Sequence, residues 1–202
     1  MGRLLKWMGL ILLAALVGLM LAFVYTSFAR VRRSDGITMD QAVEAARQYV
    51  AAYGNPDLTI TEVMEFENNF YAEVEEESTS IHAFELLVDR ITGAVYPEPG
   101  PNMMWNTRYG HMGGMMGGWR GGSSGAMAVT PEQAREIAQA WLDQSMPGAS
   151  TDPGADAFYG YYTIHVLKDG QIVGMLSVNG ASGEVWYHDW HGAFMGMKEL
   201  EK

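Results

Sequence analysis

The 202-residue chain contains no cysteine, which excludes disulfides and thiolate metal centres together. It is also poor in basic residues beyond its first 33 positions. Those positions hold Arg3, Lys6, Arg30, Arg32 and Arg33 and no acidic residue. The remainder therefore keeps 13 − 5 = 8 Lys and Arg against all 24 Asp and Glu, a net of −16. A surface of that sign repels phosphate backbones and disfavours nucleic acid as a partner, while remaining compatible with cations or basic peptides. Catalytic signatures are missing as well. There is no G-x-S-x-G, no H-E-x-x-H and no phosphate loop. Gly113-Gly114 and Gly117-Gly118 lack a strand before and a helix after them, and Ser123-Ser124 has no positioned base. The run Glu73, Glu75, Glu76 and Glu77 lacks the Asp/Asn/Gly cadence of a calcium loop and reads as a solvated hairpin face. An enzyme is not expected.

Long apolar runs are confined to one place. From Trp7 to Tyr25 no residue is charged, and about 20 apolar residues suffice to span a hydrocarbon core as a helix. Trp7 and Tyr25 sit at its ends, where amphipathic rings favour the interface. Ser27-Phe28-Ala29 offers a cleavage-like site, but the run exceeds the ~7–15 residues of a usual signal core, so an uncleaved single-pass anchor is the expectation. Basic residues flank both ends, so charge alone does not orient the span.

What the chain has in abundance is self-similarity. Ile37-Thr38-Met39-Asp40-Gln41-Ala42 is answered by Val129-Thr130-Pro131-Glu132-Gln133-Ala134. Each copy closes on a matching ending, Asp89-Arg90-Ile91-Thr92-Gly93-Ala94-Val95-Tyr96 and Asn179-Gly180-Ala181-Ser182-Gly183-Glu184-Val185-Trp186. Copies of about sixty residues are too short to bury a comfortable core alone, so they are expected to pack together or share a sheet.

Within each copy, Thr38 and Thr130 are N-caps, with Gln41 at the capping-box position of the first and Pro131 at the first helical position of the second. Ala42, Ala45, Ala46, Tyr49 and Val50 form one apolar helical face. Strands follow at 58–66, 70–76, 81–88 and 94–96, and again at 159–167, 171–178 and 184–187, with Asp169-Gly170 as a hairpin turn. Residues 151–156 read as loop. The expected fold class is α+β, two repeated helix-plus-antiparallel-sheet units after an N-terminal transmembrane helix.

The pattern Thr-x-(Asp/Glu)-Gln-Ala-x-x-x-Ala, an alternating hairpin, then Asp/Asn followed by (Thr/Ser)-Gly-x-Val resembles the PepSY domain over both copies. The resemblance implies a non-catalytic binding or regulatory module that engages a protein or peptide, outside the cytoplasmic membrane. It thus places the body on the extracytoplasmic side of a single-pass anchor. The organisation expected is 1–33 anchor or signal with basic flanks, 37–100 first PepSY-like repeat, 101–128 linker, 129–192 second repeat, and 193–202 C-terminal tail.

The linker carries the residues with possible chemistry. Met103, Met104, His111, Met112, Met115 and Met116 lie among glycines, Trp105, Tyr109 and Trp119. Thioethers are soft ligands that select Cu(I) without deprotonation. A second cluster, His188 and His191 with Met195 and Met197, leaves the matching end of the second copy. An envelope copper-binding protein, with Cu(II), Zn(II) or Ni(II) at the histidines as variants, is the alternative function. A plain linker, or a contact with a peptide or bilayer, accounts for the same residues. His82 and His165 sit within strands and are expected to face solvent or pack locally.

Overall fold

The structure, a computed structural model, describes residue 20, residues 36–110 and residues 127–200. Residues 37–110 and 127–200 belong to one compact unit.

Both capping boxes form. α1 (Met39–Tyr53) starts at Thr38, whose hydroxyl accepts from Gln41 N while Thr38 N donates 2.9 Å to Gln41 Oε1. α3 (Pro131–Ser145) repeats this with Thr130 and Gln133, again at 2.9 Å. Each box satisfies two N-terminal groups that a bare helix start leaves unpaired. Between the two lies a short helix, α2 (Pro101–Met104).

The strands are β1 (Leu58–Phe66), β2 (Asn69–Glu76), β3 (Ile81–Asp89), β4 (Val95–Pro97), β5 (Ala149–Thr151), β6 (Asp156–Phe158), β7 (Tyr161–Lys168), β8 (Gln171–Asn179), β9 (Val185–Tyr187) and β10 (Phe194–Glu199). The repeated endings are Asx turns. Asp89 Oδ1 accepts from Ile91 N and Thr92 N, and Asn179 Oδ1 accepts from Ala181 N and Ser182 N. Gly93 and Gly183 then take left-handed φ of 71° and 74°, conformations that a Cβ disfavours.

These strands do not make two helix-plus-antiparallel-sheet units, and the expected fold class is corrected. Among the described residues they join one ten-stranded mixed sheet in the order β10-β1-β2-β3-β6-β7-β8-β9, with β4 on β3 and β5 on β7. Strand outweighs helix by 41% to 23% of those residues, so the sheet dominates. The cause is an edge left half open. β4 covers β3 only from Leu86 to Val88. At the other end His82 pairs with Phe158 of β6, the sheet's parallel contact. The second copy's first strand is broken at 152–155 into β5 and β6, both of which lie on β7. The segment read as a C-terminal tail adds β10 to β1.

This sheet curls. A flat order of eight strands puts β9 and β10 seven spacings apart, about 34 Å. The seven residue steps from Tyr187 to Phe194 reach at most about 25 Å. The helices cover the convex side. α1 packs Ala42, Ala46 and Val50 on Val63, Ala72 and Leu86, and α3 packs Ala134, Ala138 and Leu142 on Ile164, Val166 and Leu176. The concave side holds a third core, Met64, Phe66, Tyr71, Leu87 and Met175, drawn from both copies.

The expected single-pass location in the cytoplasmic membrane is also corrected. Among the described residues no helix is long and apolar enough to cross a membrane. At 15 residues, α1 and α3 are only about 22 Å long, and each keeps a polar face. Apart from residue 20, the apolar run 7–25 lies outside the described residues.

Candidate metal centre

Glu98 and His188 each follow the closing strand of their copy, β4 and β9. Their backbone N–H groups donate to matching carbonyls, Glu98 to Glu85 at 3.0 Å and His188 to Met175 at 3.1 Å. After His188 the chain turns back toward β10 and is fastened to the β1–β2 turn. Glu67 N donates to Ala193 O at 2.8 Å, Asn68 N to His191 O at 3.0 Å, and Asn68 Nδ2 to Trp190 O at 3.0 Å. This fastening carries His191 inward beside His188.

The three side chains converge. His191 Nε2 lies 3.0 Å and His188 Nδ1 3.4 Å from Glu98 Oε1. All three are fully or almost fully buried, at 0–2% exposure. Yet neither of those nitrogens, nor Glu98 Oε2, makes a hydrogen bond of ordinary geometry. Trp190 Nε1 takes the donor position on Oε1 at 3.0 Å. Ligands on one tetrahedral ion with bonds of 2.0–2.1 Å stand about 3.3 Å apart, close to the separations seen.

The far sides of both rings decide what faces inward. His191 Nδ1 is 2.8 Å from Asn69 Oδ1, an oxygen that can only accept. Asn69 Nδ2 reaches Trp190 O, which orients the amide. Nδ1 therefore carries the hydrogen and Nε2 turns a lone pair toward Glu98. His188 Nε2 is 3.0 Å from Ser177 Oγ, which is 3.1 Å from Thr163 Oγ1. Thr163 donates to Glu85 Oε1 at 2.8 Å. Following donors outward, Thr163 is left to accept from Ser177 and Ser177 from His188. The second imidazole thus presents its lone pair at Nδ1. Two lone pairs facing a carboxylate repel unless a cation, a proton or a metal ion, stands between them. Fixing imidazole tautomers from the outer side is what surrounding shells do at metal sites.

The walls are aromatic. Phe66 stacks on His191 at 4.4 Å and Trp190 on His188 at 4.7 Å. Gly100 admits Trp190: its φ is 76°, and a Cβ there would meet Trp190 Cη2 at 3.0 Å. Burial alone would raise the Glu98 carboxyl, but His188 and His191 outweigh it and hold it at about 2. Burial pulls the His191 imidazole below its ordinary value against the opposing pull of Glu98. The centre is thus built to keep Glu98 charged.

Behind the centre lies a buried hydroxyl–carboxyl network. Glu85 accepts from Tyr71, Tyr161 and Thr163 at 2.7–2.8 Å, and Tyr71 OH is also 2.8 Å from Glu73 Oε1. With Glu85 accepting all three hydroxyls, the Tyr71 proton is spent, so Glu73 holds the proton of its contact with Tyr71. Burial pushes both well above the usual carboxylate range.

No family model, curated protein or solved structure matches the chain.

Of the residues singled out from sequence, His188 and His191 meet in the centre. Met103 and Met104 lie on α2 at the surface, 37% and 63% exposed. His111, Met112, Met115 and Met116 lie outside the described residues. Glu98, Asn69 and Ser177 were missed. The signal for Glu98 was available in the repeat, since it stands five residues after Gly93 as His188 stands five after Gly183. The acidic hairpin is corrected from solvated to enclosed for all but Glu77, which is exposed. Glu73, Glu75 and Glu76 are 3%, 6% and 1% exposed, and Glu76 accepts from Tyr109 and Tyr159 with Arg108 at 3.2 Å.

Proposed function

We propose that the protein binds a divalent transition-metal ion through Glu98, His188 and His191. The observation that carries this reading is a pair of buried ring nitrogens, His188 Nδ1 and His191 Nε2, aimed at Glu98 Oε1 without a hydrogen bond of ordinary geometry, while Asn69 and Ser177 engage the outer ring nitrogens. Two imidazoles and a carboxylate suit Zn(II), Cu(II) or Ni(II), and the absence of sulfur at this point disfavours Cu(I). Catalytic metal sites keep a position open to substrate. At 0–2% exposure this one favours an ion that is held over one that turns over substrate.

The test is titration of the intact chain with Zn(II) against a chelator of known affinity, beside Glu98→Gln and His191→Ala. A dissociation constant below 1 μM, more than about 8 kcal/mol, that weakens at least about 100-fold in both variants supports the reading. Binding that both variants retain overturns it. A second reading, strand addition by a peptide, draws on β10, which ends the strand order and exposes Met195 and Met197. Peptide binding by a chain that takes up no metal favours that reading instead.

A further inference from the structure

We infer, building on the metal reading just given, that an ion at the Glu98 centre is a latch on β10. Bound, it holds the last strand on β1; lost, it frees that strand and uncovers the β1 edge.

β10 has little hold of its own. None of its six side chains is buried, and Met195 and Met197 stand in solvent. Phe194 is its one aromatic anchor, edge-on to Phe66 at 5.7 Å. The ladder to β1 runs only from Glu62 to Phe66 and shifts register after Glu65. The Lys198–Asp40 ion pair is exposed on both sides, where such pairs contribute little. Edge segments with few buried contacts open locally at far lower cost than the body unfolds.

The chain entering β10 is gripped instead. His191, three residues before Phe194, is buried with its ring stacked on Phe66 of β1 and edge-on to Tyr71 of β2 at 5.6 Å. Asn68 N donates to His191 O, and Asn69 holds its Nδ1. The other ring nitrogen faces Glu98, whose backbone N–H is tied to β3 at Glu85. Gly192 then turns at φ 77°, where a Cβ would meet Glu67 Cβ at 3.0 Å, so the exit toward Phe194 has little slack. Lifting β10 from β1 therefore pulls on His191. An ion shared by Glu98, His188 and His191 ties that pull to both copies, and release of the strand then requires loss of a metal–nitrogen bond. The edge uncovered on β1 offers unpaired backbone groups on which another extended chain can pair.

Opening that requires loss of the ion is suppressed about 100-fold when free ion stands at 100 times its dissociation constant. Hydrogen exchange of the full chain, metal-free and with Zn(II) at that excess, reads this by mass spectrometry. Residues 189–200 and 61–66 should exchange at least about 10-fold more slowly with Zn(II), while the first turn of α3 stays unchanged. In Glu98→Gln/His191→Ala, Zn(II) should have no effect on exchange. Coupling is reciprocal, so Phe194→Ala, which removes no ligand, should weaken Zn(II) binding by about 5-fold or more. Zn(II) that binds the native chain while exchange over 189–200 stays the same overturns the latch and leaves the metal centre standing. Native affinity in a Phe194→Ala chain whose β10 exchanges faster also overturns it. A native chain that takes up no Zn(II) overturns the latch and the metal centre together.

Discussion

Glu98 and His188 are the same position of the two copies, and their side chains meet at 3.4 Å across the centre of the molecule. The two copies present matching backbone frames here, each closing strand followed by one residue whose N–H is held by the strand beside it. One copy carries a carboxylate at this position and the other an imidazole, so equivalent positions present complementary side chains.

Asn69 holds His191 by accepting its Nδ1 hydrogen. Asn69→Leu should therefore weaken Zn(II) binding by about 10–100-fold, the usual cost of losing an outer-shell partner. Asn69→Asp, which still accepts, should restore most of it. Competition titration of both variants, with circular dichroism to confirm the fold, checks this. Equal affinity in all three proteins would refute the role assigned to Asn69.

Acid should unfold the metal-free protein through the same centre. Glu98 is held at about 2 when folded against 4.5 as its ordinary value. Its contribution is complete above pH 4.5 and lost as pH falls toward 2, on the order of 3 kcal/mol. His191, also depressed, acts in the same direction from about pH 6.5 downward. Urea unfolding between pH 7 and pH 2.5 should show stability falling with acid, more gently in Glu98→Gln.

Metal must displace whatever proton balances the lone pairs. Zn(II) binding near neutral pH should release about one proton per ion at this centre, and affinity should fall as pH falls. Titration in buffers of different ionisation enthalpy reads the proton directly. Uptake of protons would be the wrong sign.

Gly100→Ala should strain a backbone at φ 76° and push on Trp190. A cost of about 1–2 kcal/mol is expected. Because Trp190 donates to Glu98, tryptophan emission should change together with Zn(II) affinity. A variant with native melting temperature and native affinity would contradict the packing described.

Local structure was legible. Thr38 with Gln41, and the Asx turns at Asp89 and Asn179, follow from chemistry within four residues of each other, and each stands where the motif puts it. That the copies share a sheet followed from their small size; where they join did not. Whether His82 meets solvent or Phe158 depends on how much of β3 the short β4 leaves uncovered, and nothing near His82 in sequence records that. The buried state of Glu76 depends on Arg108, Tyr109 and Tyr159, between 32 and 83 residues away. His188 and His191 were recognisable as candidate ligands. Glu98 was hidden because its equivalence to His188 is one of position and not of residue type.

The pairing of β10 with β1 has a consequence in time. The first full strand of the body is completed by the last, and Asn69 reaches His191 across 122 positions of chain. Such closures come late, because distant segments must be brought together before their contacts return any stability. The ligands are thus gathered only after both copies have been made and the sheet has curled. An ion bound there would register that assembly is complete.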